Sequence, residues 1–116
     1  MTAKPKSVPT LDFDGENLRQ AILAIVREEG PCLSLRDLGV FLIAYLDESP
    51  HTVRGLAAEL GVGKPIITRA LDKLGALDLA QRKDDPRDRR SVLVDRTKAG
   101  RSMLANLKIS VAAARQ

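Results

Sequence analysis

The 116-residue chain has the length of one ordinary domain, and its 44% hydrophobic and 29% charged residues exclude a wholly disordered or fibrous protein. Aromatic residues make up only 3%, with no Trp, which argues against a stacking platform for single-stranded nucleic acid. A single cysteine, Cys32, excludes a disulfide framework and a multi-cysteine metal site, so we expect no metal and no cofactor.

The net charge of +4 is unevenly distributed along the sequence. Between Arg54 and Arg101 there are 12 Lys and Arg against 7 Asp and Glu, a balance of +5, whereas the remainder has a balance of −1. A localised positive excess is typical of a polyanion-binding surface. An ordinary solvated surface fits the charge equally well.

Residues 1–10, rich in Pro, Lys, Ser and Thr, predict a flexible N-terminal tail, followed by a single domain over residues 11–116. The lysines of the tail precede no apolar run, so we expect no signal peptide. No stretch approaches the roughly 18 apolar residues of a membrane span. The sequence therefore predicts a cytoplasmic protein without a membrane partner.

Apolar residues at helical spacing predict a first helix over roughly Gly15–Glu29, which Gly30–Pro31 ends. Ser34 and Asp37 resemble a capping box for a second helix that continues to about Glu48. The apolar stripes consist of Leu18, Ala21, Ile22, Ile25 and Val26 in the first helix and Leu38, Phe41, Leu42, Tyr45 and Leu46 in the second.

A helix-turn-helix follows. Thr52 is the expected N-cap of a third helix that ends at Leu60, and a fourth helix is predicted over Lys64–Leu74, with Gly75 as its stop. The small Ala57 lies four positions before a glycine turn, as two steeply crossing helices require.

The fourth helix has two distinct faces. Ile67, Ala70, Leu71 and Leu74 share the apolar face, and Lys64, Thr68, Arg69, Asp72 and Lys73 point outward. Cations and hydroxyls on an outward helix face suit reading of the major groove. An ordinary helical hairpin with a solvated face is the alternative.

Two extended runs, Leu77–Arg82 and Ser91–Asp95, flank a charged connection over Lys83–Arg90 and predict a β-hairpin with a solvated tip. Thr97 then caps a final helix, which contains Met103, Leu104, Leu107 and Val111 as its apolar residues. The expected fold is mostly α with a small β-hairpin wing, a winged helix-turn-helix.

Charges of both signs alternate in the connection of the hairpin. Lys83, Arg87, Arg89 and Arg90 can contact phosphate or enter a narrow minor groove. Asp84, Asp85 and Asp88 cannot, and we expect them to order the loop by pairing with neighbouring arginines. The alternative is a solvated loop whose charges cancel.

The segment Asp85–Ser91 (DPRDRRS), with Leu56–Val62 upstream and Thr97–Gly100 downstream, resembles the MarR (multiple antibiotic resistance regulator) family over roughly Leu33–Met103. The resemblance implies a winged-helix homodimer on a pseudo-palindromic operator, which represses nearby genes. At Arg96 the family usually has leucine, so we expect a more polar junction between the wing and the last helix.

Matching positions imply that the helix over Lys64–Leu74 reads the major groove and that the wing contacts the DNA backbone and the minor groove. The candidate DNA-binding residues are Lys64, Pro65, Thr68, Arg69 and Lys73 on the helix and Arg87, Arg89 and Arg90 on the wing. Dimerisation is expected through the N- and C-terminal helices.

The predicted function is sequence-specific binding of double-stranded DNA by a transcriptional regulator, a repressor of MarR type. We expect no enzymatic activity, because no Ser, His and carboxylate grouping and no glycine-rich phosphate loop is present. Acids in the wing and the short C-terminal helix favour an alternative, a winged-helix protein-interaction module that acts as an accessory transcription factor.

Three further residues have alternative interpretations. Cys32 is expected to be a small buried residue, the alternative being a redox-sensing thiol of the kind some family members use. The lone His51 is expected in a loop or at a helix cap. Tyr45 is expected in the core, the alternative being a cavity for a small-molecule effector such as the phenolic ligands of the family.

Overall fold

A computed structural model describes residues 15–27, 30–48 and 50–114. Within these residues, five helices accompany a three-stranded antiparallel sheet of order β1-β3-β2, which confirms the predicted winged helix-turn-helix. The helices are α1 (Gly15–Arg27), α2 (Leu35–Leu46), α3 (Val53–Leu60), α4 (Lys64–Ala76) and α5 (Lys98–Ala114), and the strands are β1 (His51–Thr52), β2 (Ala80–Asp85) and β3 (Asp88–Arg96).

The chain divides into two compact units, residues 1–29 with 107–116 and residues 30–106. The second unit contains α2, α3, α4 and the sheet, whereas α5 begins in the second unit and ends in the first. The predicted tail over residues 1–10 and the predicted helix end at Glu29 lie outside the described residues, and the single domain over residues 11–116 stays a prediction. No described helix is long and apolar enough to cross a membrane.

Local hydrogen bonds confirm the predicted starts of α2 and α3. The Ser34 hydroxyl accepts from the Asp37 amide at 3.0 Å, and the Asp37 carboxylate accepts from the Ser34 amide at 3.1 Å, which completes the capping box. The Thr52 hydroxyl accepts from the Gly55 amide at 2.9 Å. Both helices therefore begin where side-chain oxygens satisfy free backbone N–H groups.

The core of the second unit is apolar and lies where α2, α3 and α4 meet. The largest fully buried side chains are Val40, Phe41, Leu56, Ile67 and Leu74. Ala57 is also buried, and Gly61 adopts a left-handed φ of 69° at the turn between α3 and α4. A residue with a β-carbon is strained at that φ, so the turn favours glycine, as expected.

Tyr45 packs in the core as predicted, with 7% of the residue exposed and its ring centroid 4.5 Å from that of Phe41. Its hydroxyl has a role that the helical pattern does not indicate. It donates to the Leu79 carbonyl at 2.6 Å and accepts from the Thr97 amide at 2.9 Å. One hydroxyl thus joins α2 to both ends of the hairpin.

Thr97 extends this buried network. Its hydroxyl donates to the Asp78 carbonyl at 2.6 Å and accepts from the Gly100 amide at 2.9 Å, which confirms it as the cap of α5. Buried polar groups are costly without partners. The network therefore fixes the junction between the hairpin and α5.

The polar junction expected at Arg96 has a specific role. Its Nε donates to the Ala44 carbonyl at 2.9 Å, and its Nη2 donates to the Asp47 carbonyl at 2.8 Å. These carbonyls lie at the C-terminal end of α2, where helix carbonyls lack partners and cations are favoured. The guanidinium carbon also lies 5.7 Å from the centroid of the Tyr45 ring. Arg96 therefore caps α2 from β3.

The predicted stop of α4 at Gly75 is wrong, because the helix continues to Ala76. The chain leaves the helix through Asp78, whose φ is 60°. The Leu79 amide donates to the Leu74 carbonyl at 2.8 Å, and the Asp78 amide donates to the Gly75 carbonyl at 3.0 Å. This Schellman arrangement needs a left-handed residue, and aspartate tolerates that conformation better than most residues.

Replacing Asp78 with glycine is expected to stabilise the fold by roughly 0.5 kcal/mol, because glycine adopts a positive φ without steric cost. Urea unfolding of the full chain measures the change. Asp78→Ala is the contrasting variant, and it should destabilise the protein. A glycine variant less stable than the wild type would contradict the argument.

The hairpin is longer than predicted. Its strands cover Ala80–Asp85 and Asp88–Arg96 instead of Leu77–Arg82 and Ser91–Asp95, so most of the predicted charged loop is strand. The turn itself contains only Pro86 and Arg87. Charged residues are tolerated in these strands because both faces of the outer hairpin are open to solvent.

The third strand, β1, has no equivalent among the elements predicted from the sequence. His51 pairs with Val94 of β3, so the expectation of a loop or cap residue is wrong. Its Nε2 lies 3.8 Å from the Asp47 carboxylate. Two residues are too few to show an alternation of polar and apolar side chains. They form a strand only because they pair with β3.

The expectation that Cys32 is buried is also wrong, because its side chain is exposed. Cys32 precedes the capping box in a segment without helix or strand, and its neighbour Pro31 is exposed as well. Apolar neighbours in the sequence do not by themselves bury a thiol, because the backbone must also direct the side chain toward the core.

Candidate nucleic-acid interface

The outward face of α4 is built on a well-buried inner face. Ile67, Ala70, Leu71 and Leu74 are buried, as predicted, and they fix the rotation of the helix about its axis. Pro65 lies in the first turn, where its missing N–H costs nothing. The five candidate residues of the helix, Lys64, Pro65, Thr68, Arg69 and Lys73, are all exposed.

Lys64, Thr68 and Arg69 lie on the outward face of α4, where Thr68 follows Lys64 by one turn and Arg69 is next to Thr68. Among the residues that the structure describes, no ion pair involves Lys64 or Arg69. A guanidinium and a hydroxyl on adjacent residues can therefore meet a partner from solvent without first breaking an internal contact.

Lys73 differs from these residues because it has a charged partner within the protein. Its Nζ lies 3.6 Å from the Asp37 carboxylate at the start of α2, and Asp37 is only 7% exposed. Ser34 occupies the same carboxylate through its amide. Lys73 lies one turn after Arg69 on the same side of α4, but its ammonium is paired with Asp37, so its role in DNA contact stays a prediction.

Arg82 is a residue of this region that sequence reasoning did not single out. Its Nη2 hydrogen-bonds to the Asp72 carboxylate and donates to the Thr68 carbonyl at 3.1 Å. The acid on the outward face of α4 is therefore neutralised from β2. The sequence does place an arginine in the strand that follows a helix with an outward acid. Only the register of the hairpin shows that the two side chains meet.

The three wing arginines, Arg87, Arg89 and Arg90, are exposed. The expected pairing of the wing acids with arginine side chains is wrong. Asp85 accepts from the backbone amide of Arg87 at 2.9 Å, and Asp88 accepts from that of Arg90 at 3.0 Å. Aspartates commonly bond the amide two residues on in this way.

These backbone contacts have an electrostatic consequence. The acids order the turn, while the guanidinium groups of Arg87, Arg89 and Arg90 form no ion pair within the described residues. The turn is therefore ordered by its acids, while its arginine side chains stay available for a partner from solvent. Exposed cations on an ordered backbone suit contact with phosphate or a narrow minor groove.

Known proteins resemble this chain in sequence and in fold. A sequence profile of the MarR family matches residues 40–91, which include α3, α4 and the turn of the hairpin. A search of curated proteins found no match. A MarR-family transcriptional regulator from Rhodococcus sp. RHA1 is 30% identical, with a TM-score of 0.66, and the match covers 87% of this chain and 69% of that chain.

CouR from Rhodococcus jostii RHA1, solved bound to p-coumaroyl-CoA, is 31% identical, with a TM-score of 0.66. The match covers 86% of this chain and 68% of CouR. RV1404 from Mycobacterium tuberculosis shares the fold, with a TM-score of 0.74 at 21% identity and coverage of 85% and 66%. The matched profile and the identities to two Rhodococcus proteins agree with the helix-turn-helix and wing described above. The chain belongs to the MarR family of transcriptional regulators.

Proposed function

We propose that this protein represses transcription by binding a specific double-stranded operator as a homodimer. The observation that carries this proposal is the outward face of α4, the helix that we call the reading helix from here on. That face presents Lys64, Thr68 and Arg69 to solvent, while Arg82 neutralises the nearby Asp72. Arginine and lysine bind guanine O6 and N7 in the major groove, and threonine contacts either an acceptor or the thymine methyl group.

The wing, defined as β2, β3 and their turn, supplies the second set of contacts. Its arginines, Arg87, Arg89 and Arg90, are proposed to bind phosphates or the minor groove beside the half-site. Such contacts position the protein but carry little sequence information. The division of roles predicts that the reading helix sets base preference and that the wing sets salt-dependent affinity.

The dimer is proposed to form through the first unit. Leu18, Ile22 and Val26 lie on one side of α1 and are exposed to 50%, 48% and 71%, and Ile109, in the part of α5 that belongs to the first unit, is 67% exposed. Apolar residues repeated along a helix face mark an interaction surface when they remain uncovered. A two-fold dimer would place two reading helices on successive major grooves, about 34 Å apart.

A small-molecule effector is also proposed, and the second unit offers one candidate site. A groove of about 440 Å³ between α2 and α3 is lined by Leu42, Ile43, Leu46, Asp47 and Glu59. CouR binds p-coumaroyl-CoA, which is anionic. Two carboxylates in the lining disfavour an anion here, so the groove suits a neutral or cationic apolar compound.

Selection of bound fragments from random duplex DNA by the full chain tests the proposal. We expect a pseudo-palindromic sequence whose half-site centres lie about 10 base pairs apart or a multiple of that spacing. Recovery of unrelated sequences would refute sequence-specific binding.

The alternative, a protein-interaction module, predicts a different salt dependence. Binding through several phosphates falls steeply as salt increases, because condensed counterions are released on binding. Gel shifts of the selected duplex at about 50 and 200 mM salt should therefore show a large decrease in affinity. Affinity for duplex DNA that is negligible at low salt would favour the interaction module.

A further inference from the structure

Arg82 joins the two proposed DNA-binding elements through one group. It lies in β2 opposite Val94 of β3, and its guanidinium bonds the Thr68 carbonyl and the Asp72 carboxylate of the reading helix. In the part of the chain that the structure describes, no other side chain of β2 or β3 hydrogen-bonds to α4. The contact therefore ties the base of the wing to the middle of the reading helix.

The geometry of the contact can fix the orientation of the wing relative to the reading helix. Thr68 and Asp72 are one helical turn apart, and Thr68 is itself a proposed base-reading residue. Both bonds come from one nitrogen, Nη2, whose two N–H groups are fixed in the plane of the guanidinium, so the contact restricts both distance and direction. A lysine ammonium has freely rotating donors on a flexible stem, so it restricts direction less.

Fold stability does not explain the contact. The side chains of Arg82 and Asp72 are 40% and 60% exposed, and exposed ion pairs contribute little to stability. Beyond Arg82, the wing residues from Lys83 to Arg90 are exposed except for the half-buried Asp85. Their direction therefore depends on what holds the base of the hairpin.

We propose that Arg82 is a positioning residue that holds the wing against the reading helix, so that both elements meet DNA as one surface. This proposal rests on the proposed DNA-binding function. Arg82 acts by fixing where the wing arginines lie relative to Thr68 and Arg69. Without its bonds to the helix, DNA binding must also overcome the entropy of ordering the wing.

Asp72→Asn tests the proposal through the sign of its effect. Removal of an acid raises the net charge from +4 to +5, so electrostatics alone predict tighter binding to DNA. A broken ion pair with Arg82 predicts the opposite, and we expect affinity for the selected duplex to fall roughly fivefold. Asp72→Glu retains the charge pair and should recover most of the affinity.

Two further variants complete the series. Arg82→Lys retains the charge but lacks donors fixed in a plane, so it should bind DNA more weakly than the wild type. Asp84→Asn is the matched control, because Asp84 is an exposed acid of β2 with no ion pair among the described residues. Its affinity should equal or exceed that of the wild type.

A second measurement does not depend on DNA. NMR relaxation of the free protein should show lower backbone order over residues 83–90 in Asp72→Asn and Arg82→Lys, and unchanged order in Asp84→Asn and Asp72→Glu. Circular dichroism should show that all four variants remain folded.

The proposal is overturned if Asp72→Asn binds DNA as tightly as the wild type or more tightly. It is also overturned if the order of the wing is unchanged in Asp72→Asn and Arg82→Lys. If the wild type binds no duplex, the proposed DNA-binding function fails, and the relaxation measurement still decides whether Arg82 holds the wing.

Discussion

Replacing Gly100 with alanine is expected to destabilise the fold by about 3 kcal/mol or more, because the new methyl group has no space. A β-carbon at Gly100 would lie 2.5 Å from the Leu79 carbonyl oxygen and closer still to the Tyr45 hydroxyl. Neither atom can move aside easily, because one belongs to the backbone and the other is held by hydrogen bonds. Tyr45 would have to move, which would break its bonds to Leu79 and Thr97.

Gly75→Ala provides the control for intrinsic helix propensity. Gly75 also lies within a helix, but its β-carbon would meet the nearest atom, the Ala80 carbonyl oxygen, at an ordinary 3.7 Å. We expect a gain of roughly 0.5 to 1 kcal/mol there, as for any glycine replaced in a helix without a clash. Chemical unfolding of both variants measures the difference.

A double substitution identifies the cause of the Gly100 effect. Tyr45→Phe removes the closest atom but leaves the Leu79 carbonyl and the Thr97 amide without their partner. If the clash with the hydroxyl is responsible, the combined cost of Gly100→Ala and Tyr45→Phe should be clearly less than the sum of the single costs. Additive costs, or a Gly100→Ala variant as stable as Gly75→Ala, would contradict the packing argument.

Replacing Arg69 with alanine is expected to cost about 1 to 3 kcal/mol at each half-site of the selected duplex and to relax base preference. Arg69 is exposed on the reading helix, so the fold should be unaffected. Binding to unrelated duplex DNA should change much less, because a base contact contributes little where the matching base is absent.

Arg89→Ala should behave differently. A wing arginine that contacts phosphate contributes to binding of every sequence, so affinity for selected and unrelated duplexes should fall together. The slope of log affinity against log salt should become shallower by about 0.9 for each phosphate that the variant no longer neutralises. Fluorescence titrations over a range of salt measure both quantities.

Arg101→Ala is the control for net charge, because Arg101 is exposed on α5 and lies outside the reading helix and the wing. Its effect should be small for both duplexes. Equal behaviour of the Arg69, Arg89 and Arg101 variants would refute the division between base reading and phosphate contact.

Local signals in the sequence predicted the helices well. Ser34, Thr52 and Thr97 cap helices as expected, since a cap needs only a hydroxyl and an amide three residues on. The end of α4 was missed because left-handed backbone does not require glycine, and Asp78 supplies it instead. The hairpin was predicted in kind but not in extent, because its outer strands have no apolar alternation.

Partners of charged side chains could not be predicted in the same way. Arg96 reaches carbonyls 52 and 49 residues away, and Arg82 reaches an acid 10 residues away on another element. Lys73 was assigned to DNA contact from its place on the helix, yet the structure places it beside Asp37. Spacing shows which face a residue occupies, whereas its partner depends on which element packs there.

The sequence by itself determined the class of fold, the inward face of α4 and the resemblance to MarR regulators, because periodicity, caps and the DPRDRRS segment are properties of neighbouring residues. Only the tertiary structure decided that Arg96 caps α2 and that Cys32 is exposed. The same holds for Arg82, which links the wing to the reading helix. These facts depend on which elements of the fold pack against each residue, and the spacing of residues along the chain does not show that.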